Sequence, residues 1–234
     1  MSKPLIILQS RFNSKRLPGK CLKKINNIPI TILCVKRLSN KGHKVIVVTS
    51  RKKSDDKLIS LLKKYKINYF RGSLNNVYSR YINIIKDNNF KDNKLIVRAT
   101  GDNIVPDGDL INLLTKTIKE NKTNYLKINH KMHLLPKGFT LEIFKAGELL
   151  KLNKFDLSKK HLEHVTLKIY EKKKKLSNFF IKNLKQKKDL TKYRLTIDTK
   201  KDYLFMKNFF KNINNPLKIS SFKILAYLKD STFK

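Results

Sequence analysis

Acidic residues are scarce in this chain: 17 Asp and Glu stand against 54 Lys and Arg, a formal net charge of +37. Cysteine is nearly absent too. Cys21 and Cys34 lie in no metal or redox spacing, which excludes a zinc module or disulfide scaffold and predicts a reduced, cytoplasmic protein. No apolar run approaches the roughly 18 residues of a membrane span. The first apolar stretch ends at Gln9 and is followed by charge rather than a small-residue cleavage site, so no secretory signal is expected. Neither the Walker pattern G-x-x-x-x-G-K-[ST] nor the glycine fingerprint of dinucleotide sites occurs. The interleaved aromatics and glycines of the common RNA modules are missing as well, and there is no internal repeat or low-complexity linker.

What is abundant is lysine. A charge of +37 invites a nucleic-acid partner, and a basic nucleic-acid-binding protein stands as one alternative function. Yet the lysines are spread along the whole chain among many Asn and Ile, the pattern of an AT-rich coding sequence. Only eight cations are arginine, at 11, 16, 37, 51, 71, 80, 98 and 194. Where Lys is the default, a retained Arg marks a position that wants the planar guanidinium fork. Six of the eight fall in the segments singled out below.

Forty per cent of the 234 residues are hydrophobic, enough for the core of a single domain over 1–234. Strand-like and helix-like segments alternate through the first half. Strands are expected at Leu5–Gln9, Lys44–Thr49, Ile67–Phe70 and Lys94–Arg98. Helices are expected from Pro29 toward Asn40, after Ser54, at about Asn76–Asn88 and at about Asp107–Glu120. This rhythm implies an α/β protein with a largely parallel sheet and helices on both faces. Further on, strands are expected at Asn124–Ile128, Thr140–Phe144 and Tyr193–Asp198. Helices are expected at Ala146–Asn153, Lys159–Tyr170, Lys200–Asn212 and Ser220–Leu228, with a solvated turn at Lys172–Lys175. Residues from about 130 to 185 read as an excursion that shapes an acceptor pocket or a dimer contact.

The most informative stretch follows the first strand. Arg11-Phe12-Asn13-Ser14-Lys15-Arg16-Leu17-Pro18-Gly19-Lys20 places four cations in ten residues, with Ser14, Pro18 and Gly19 to bend the chain. Ligands of open α/β sheets bind beyond the carboxyl ends of the strands. A nucleoside triphosphate carries about four negative charges, which Arg grips through paired N–H groups and Lys as a mobile point charge. Two carboxylates at strand ends, Asp102 after Gly101 and Asp198 after Ile197, are candidates for Mg²⁺, an ion that takes one or two carboxylates plus phosphate oxygens and water. Taken alone, Asp198 also reads as the N-cap of the helix after it; as a pair facing a phosphate loop, the two carboxylates read as a metal site. Arg71 reads either as a nucleotide contact or as one half of a structural salt bridge, and Arg80 lies on the next helix. His161 and His164 share a helix face, but no third ligand completes a zinc site. Glu163 and His164 are candidates for acceptor contact. Asp107-Gly108-Asp109 formally fits the D-x-D motif of sugar-nucleotide-consuming glycosyltransferases and reads better as a helix start with carboxylates at the positive end of the dipole.

Taken together these segments resemble the cytidylyltransferases that activate acidic sugars, in the branch of the spore coat polysaccharide biosynthesis protein F type, related to acylneuraminate and ketodeoxyoctonate cytidylyltransferases. Leu8 to Lys20 matches I-Q-A-R-x-x-S-x-R-L-P-G-K, with Ser10 in place of the usual Ala. Phe70-Arg71-Gly72-Ser73 with Val77-Tyr78-Ser79-Arg80-Tyr81, Arg98 to Asp102, Glu163-His164-Val165-Thr166 and Arg194 to Thr199 supply four more ordered matches. After Asp102 the family's Cys-Pro-like pair is replaced by Asn103-Ile104-Val105-Pro106, and after Ser73 the family's acidic residues are replaced by Leu74-Asn75-Asn76.

The resemblance implies a Rossmann-like nucleotide-diphospho-sugar transferase (GT-A) fold with a mostly parallel mixed sheet. It implies transfer of CMP from CTP to a small acidic sugar with release of pyrophosphate, for surface polysaccharide or glycan synthesis. Carried over by position, Leu8, Gln9, Arg11, Ser14, Arg71 and Arg80 would line the nucleotide site. Lys20 and Arg16 would neutralise the β- and γ-phosphates, Asp102 and Asp198 would hold Mg²⁺, and a homodimer would be expected. The rivals within the fold are another NTP or a phosphate or phosphonate acceptor.

Overall fold

The computed structural model describes residues 3–173, 179 and 181–230. Its first half follows the expected alternation: β1 (Leu5–Gln9), a small hairpin of β2 (Lys24–Ile25) and β3 (Ile28–Pro29), α1 (Ile30–Ser39), β4 (Lys44–Ser50), α2 (Asp56–Lys64), β5 (Tyr69–Gly72), α3 (Val77–Asp87), β6 (Leu95–Thr100) and α4 (Gly108–Glu120). The second half is made of β7 (Tyr125–Lys127), β8 (Glu142–Lys145), α5 (Ala146–Leu150), α6 (Lys159–Glu163), α7 (Leu167–Lys172), α8 (Lys200–Lys211) and α9 (Ser221–Asp230). Lys172 of the expected lysine turn ends α7; Lys174 and Lys175 lie outside the described residues.

Six strands form a mostly parallel mixed sheet in the order β5-β4-β1-β6-β8-β7. β1 pairs in parallel with β4 on one side and β6 on the other, while β8 runs antiparallel to both β6 and β7. Because side chains alternate along a strand, the sheet feeds two cores. Ile6, Leu8, Val97 and Ala99 face the layer of α1, α2, α4, α8 and α9; Leu5, Ile7 and Ile96 face the layer of α3, α5 and α7. Both faces being covered explains why β1, β4 and β6 read as near-continuous apolar runs. A buried guanidinium ties the last segment to this frame: Arg37 donates to the carbonyls of Val105, Pro216 and Ile219, each at 2.7 Å.

Two expected elements change. The segment Tyr193–Asp198 is not a sheet strand; its backbone bonds instead run to a loop. Lys137 N donates to Tyr193 O, Leu195 N to Lys137 O and Ile197 N to Asp102 O, so the segment crosses the mouth of the sheet. β6 is flanked by β1 and β8 instead. The helix expected over Lys159–Tyr170 is broken at Val165, whose φ of 43° is incompatible with a continuing helix. Thr166 then starts a second short helix.

The region from about 130 to 185 is held by its own bonds. His133 bridges two loops: its Nδ1 donates to Asn129 O at 2.8 Å, and its Nε2 accepts from Ile181 N at 2.9 Å. That pairing needs the neutral ring, and burial lowers the His133 pKa below its ordinary 6.5. Below that value the unfolded chain takes up a proton which the native ring refuses. The contribution is therefore complete above 6.5 and is lost as pH falls toward the folded-state value. Urea unfolding between pH 7.5 and 5 should show stability falling with acid, and His133→Gln should flatten part of that slope; His43 and His130, also held neutral by burial, supply the rest. Equal slopes in the two proteins would contradict the assignment.

Candidate active site

The basic loop after β1 is a closed turn rather than a loose arm. Phe12 O accepts from the amides of both Ser14 and Gly19, and the buried Leu17 pins the turn to the core. Gly19 sits at φ 64°, where a side chain is disfavoured and where a Cβ would lie 3.3 Å from the Phe12 ring. The turn is also anchored from outside. Asp55, buried at 2% exposure, accepts from Phe12 N at 2.7 Å with one oxygen and from the amide and hydroxyl of Ser50 with the other. Arg11, Lys15 and Arg16 are left exposed on the turn, and Gln9 and Ser14 are half-buried beside them.

Lys20 leaves the end of this turn and reaches into the crevice. Its Nζ lies 3.5 Å from Asp102 Oδ2, 3.3 Å from Asp198 Oδ1 and 2.9 Å from Ile197 O. Arg16 reaches the same Asp198 oxygen at 3.0 Å. The other oxygen, Oδ2, is held by Arg194, which also approaches Asp202 Oδ1 at 3.4 Å. Burial works against the Asp198 charge, but Lys20, Arg16 and Arg194 outweigh it and keep the carboxyl below its usual pKa. The expected pair of carboxylates and the expected Lys20 and Arg16 thus meet in one cluster.

Asp198 faces this cluster because another residue caps α8. The Thr199 side chain accepts from Asp202 N, and the Asp202 side chain accepts from the amides of Asp198 and Thr199, a reciprocal capping box. The N-cap alternative for Asp198 is thereby replaced by Thr199. Asp107 caps α4 and also accepts from Ser221 Oγ, and Asp109 pairs with Lys41, so Asp107-Gly108-Asp109 is a helix start. Asp102 is set by a close approach of β1 and β6, where Gly101 N donates to Gln9 O at 2.7 Å.

Three of the expected nucleotide contacts are engaged with or packed against the protein itself. The Leu8 side chain is fully buried in the core, its strand flanked by Val47 and Ala99. Arg71 takes the structural alternative: it pairs with Asp56 at 2.7 Å and donates to Ser50 O and Lys52 O, bracing the segment that carries Asp55. Arg80 is buried with its guanidinium on the carbonyls of Ser73 and Leu74. Glu163 and His164 are exposed, and it is Thr166 of the same motif that reaches inward, donating its hydroxyl to Glu142. Glu142, at the start of β8, also meets Arg98 and Lys127 at 3.5 Å each. Asp55 and Arg194 also shape the site, and neither is among the expected site residues. Arg194 had a readable signal, as one of the eight arginines, and Thr199-Lys200-Lys201-Asp202 is a readable capping box.

Two carboxylates converging on one ammonium form a donor set that Mg²⁺ fits, with Lys20 as the stand-in cation and phosphate oxygens and water for the remaining positions.

The close approach at Gly101 can be tested. A Cβ there would lie 2.9 Å from the Ser10 side chain and 3.1 Å from Gln9 O. Gly101→Ala should destabilise the protein by about 1–3 kcal/mol, and Ser10→Gly in the same chain should recover part of that in urea unfolding. A Gly101→Ala protein as stable as the parent would refute the account.

The Bacillus subtilis spore coat polysaccharide biosynthesis protein SpsF is 27% identical over 235 residues, covering 97% of this chain and 95% of that protein. A cytidylyltransferase structure from Leptospira borgpetersenii serovar Hardjo-bovis superposes with a TM-score of 0.84 at 28% identity, covering 97% of this chain and 94% of that one. The fold is also that of a CMP:2-keto-3-deoxy-manno-octonic acid synthetase solved with CTP, at a TM-score of 0.60 and 13% identity over 89% of this chain and 98% of that one. The expected nucleotidyltransferase fold is therefore borne out. The profile of the cytidylyltransferase family matches residues 5–229, nearly the whole chain, and the chain belongs to the cytidylyltransferases.

Proposed function

We propose that the protein transfers CMP from CTP to a small acidic sugar, releasing pyrophosphate, and that Mg²⁺ held by Asp102 and Asp198 assists. The observation that carries this reading is Lys20 standing between those two carboxylates at the end of a closed basic turn. Membership of the cytidylyltransferase family supports CTP as donor. The names of the relatives, one in spore coat polysaccharide synthesis and one a synthetase for a CMP-linked sugar acid, support a sugar-acid acceptor. The excess of cations favours an anionic acceptor on electrostatic grounds.

In this reading Arg11, Arg16 and Lys20 receive the triphosphate, with Gln9 and Ser14 at its flank. Leu8 acts only by packing the strand. Arg71 and Arg80 act through the backbone they hold, and Glu163 and His164 stand exposed as the acceptor candidates. The acceptor hydroxyl oxygen attacks the α-phosphorus in line; its bond to phosphorus forms as the bond to the β-bridging oxygen breaks, and the hydroxyl proton passes to solvent. Lys20 and Arg16 stabilise the charge that builds on the departing pyrophosphate. Bound Mg²⁺ would supply Lewis acidity at the α-phosphate and acceptor oxygen. The remaining contribution of the protein is to hold reactants in line, which a turn fixed at both ends does well.

Incubation with CTP, UTP, ATP or GTP and a panel of sugar acids, followed by phosphorus NMR, should give a new phosphodiester signal with CTP and a sugar acid. Equal yield with every NTP, or a product formed only with sugar phosphates, would refute the donor or acceptor assignment. Asp102→Asn should cut pyrophosphate release by about 10²–10³-fold while the unfolding midpoint stays close to the parent's. Near-normal turnover at saturating Mg²⁺ would contradict the metal role.

A further inference from the structure

We infer that the carboxylate pair is plugged by the chain's own cations in the nucleotide-free protein, so that divalent cation and triphosphate bind as a coupled pair. This rests on the roles proposed above for Lys20, Arg16, Asp102 and Asp198. Around two carboxylates stand three cations: Lys20 between both, and Arg16 and Arg194 on opposite oxygens of Asp198.

The two ligands meet opposite obstacles when they arrive alone. A divalent cation must displace Lys20 and Arg16 from the oxygens it needs and then sit beside their charges. A triphosphate draws Lys20 and Arg16 onto its own oxygens and leaves Asp102 and Asp198 facing about four negative charges. Arriving together, each removes what the other leaves uncompensated: the cations move to phosphate and the carboxylates to metal. The coupling is reciprocal by linkage.

The three cations have different parts in this exchange. Arg16 is the mobile member, with its side chain 61% exposed and, among the described residues, its one ion pair to Asp198. Lys20, 15% exposed and bonded to Ile197 O, moves between neighbouring partners. Arg194 stays, because it spans Asp198 and Asp202, and Asp202 is fixed in the cap of α8. It is a positioning residue that keeps Asp198 Oδ1 turned to the crevice.

The test is Mn²⁺ binding to the full chain without nucleotide, read from the free-Mn²⁺ electron paramagnetic resonance signal, in the parent, Arg16→Ala and Lys15→Ala. Lys15 lies exposed in the same turn and has no carboxylate partner among the described residues, so its variant reports the general field alone. Arg16→Ala should bind Mn²⁺ about fivefold tighter or more, with Lys15→Ala close to the parent. Dialysis of labelled CTP with Mn²⁺ should then show the opposite sign: Arg16→Ala retains CTP more weakly, since the guanidinium now serves the phosphates. Equal Mn²⁺ affinity in the parent and Arg16→Ala, or the same gain in Lys15→Ala, overturns the inference while CTP retention leaves the proposed function standing. Failure of all three proteins to retain CTP with Mn²⁺ overturns both.

Discussion

The crevice depends on a single ammonium group. Lys20 Nζ joins the carboxylates at positions 102 and 198 and the carbonyl at 197, so that the early, middle and late parts of the chain meet at one atom. Two carboxylates at this separation repel unless a cation stands between them, and a lysine in low-dielectric surroundings needs counter-charge in turn. Each group makes the position of the others tolerable. The segment that crosses the sheet mouth is consequently tied to the opening turn, although about 178 residues separate them.

That tie explains why the basic turn is built as it is. One end is gripped by Asp55, the other by Asp198, with Leu17 seated in the core between them. A flexible run of cations would lose much of its binding energy in becoming ordered on a triphosphate; a turn already closed loses less. Arg71 and Arg80 extend the same logic outward, since they brace the segments on which Asp55 and the start of α3 depend. Arginine in this lysine-rich chain marks geometry as much as charge, because its fork bridges two or three fixed carbonyls at once.

The parts legible in the sequence and the parts that were not separate along physical lines. β1, β4 and β6 are buried on both faces, so their apolar runs carry the pattern without ambiguity. Leu195 and Ile197 are also fully buried and alternate like a strand, yet their backbone bonds go to Lys137 and Asp102. Alternation records which side chains are buried and leaves open which neighbour the backbone takes. The break at Val165 is similar: a β-branched residue in a left-handed conformation is held by packing around it, and no local preference announces it. The roles of Arg71 and Thr166 turned on partners 15 and 24 residues away.

From the residues alone came the alternating α/β plan, the cation-rich turn after the first strand, the two strand-end aspartates and the family pattern that joins them. These are local or periodic features, written in side-chain chemistry over short spans. Folding in three dimensions settled which cation faces which carboxylate, that Thr199 rather than Asp198 caps α8, and that the guanidiniums of Arg37, Arg71 and Arg80 hold backbone. Such pairings compare partners far apart in the chain, where burial and charge balance are weighed across the whole molecule at once.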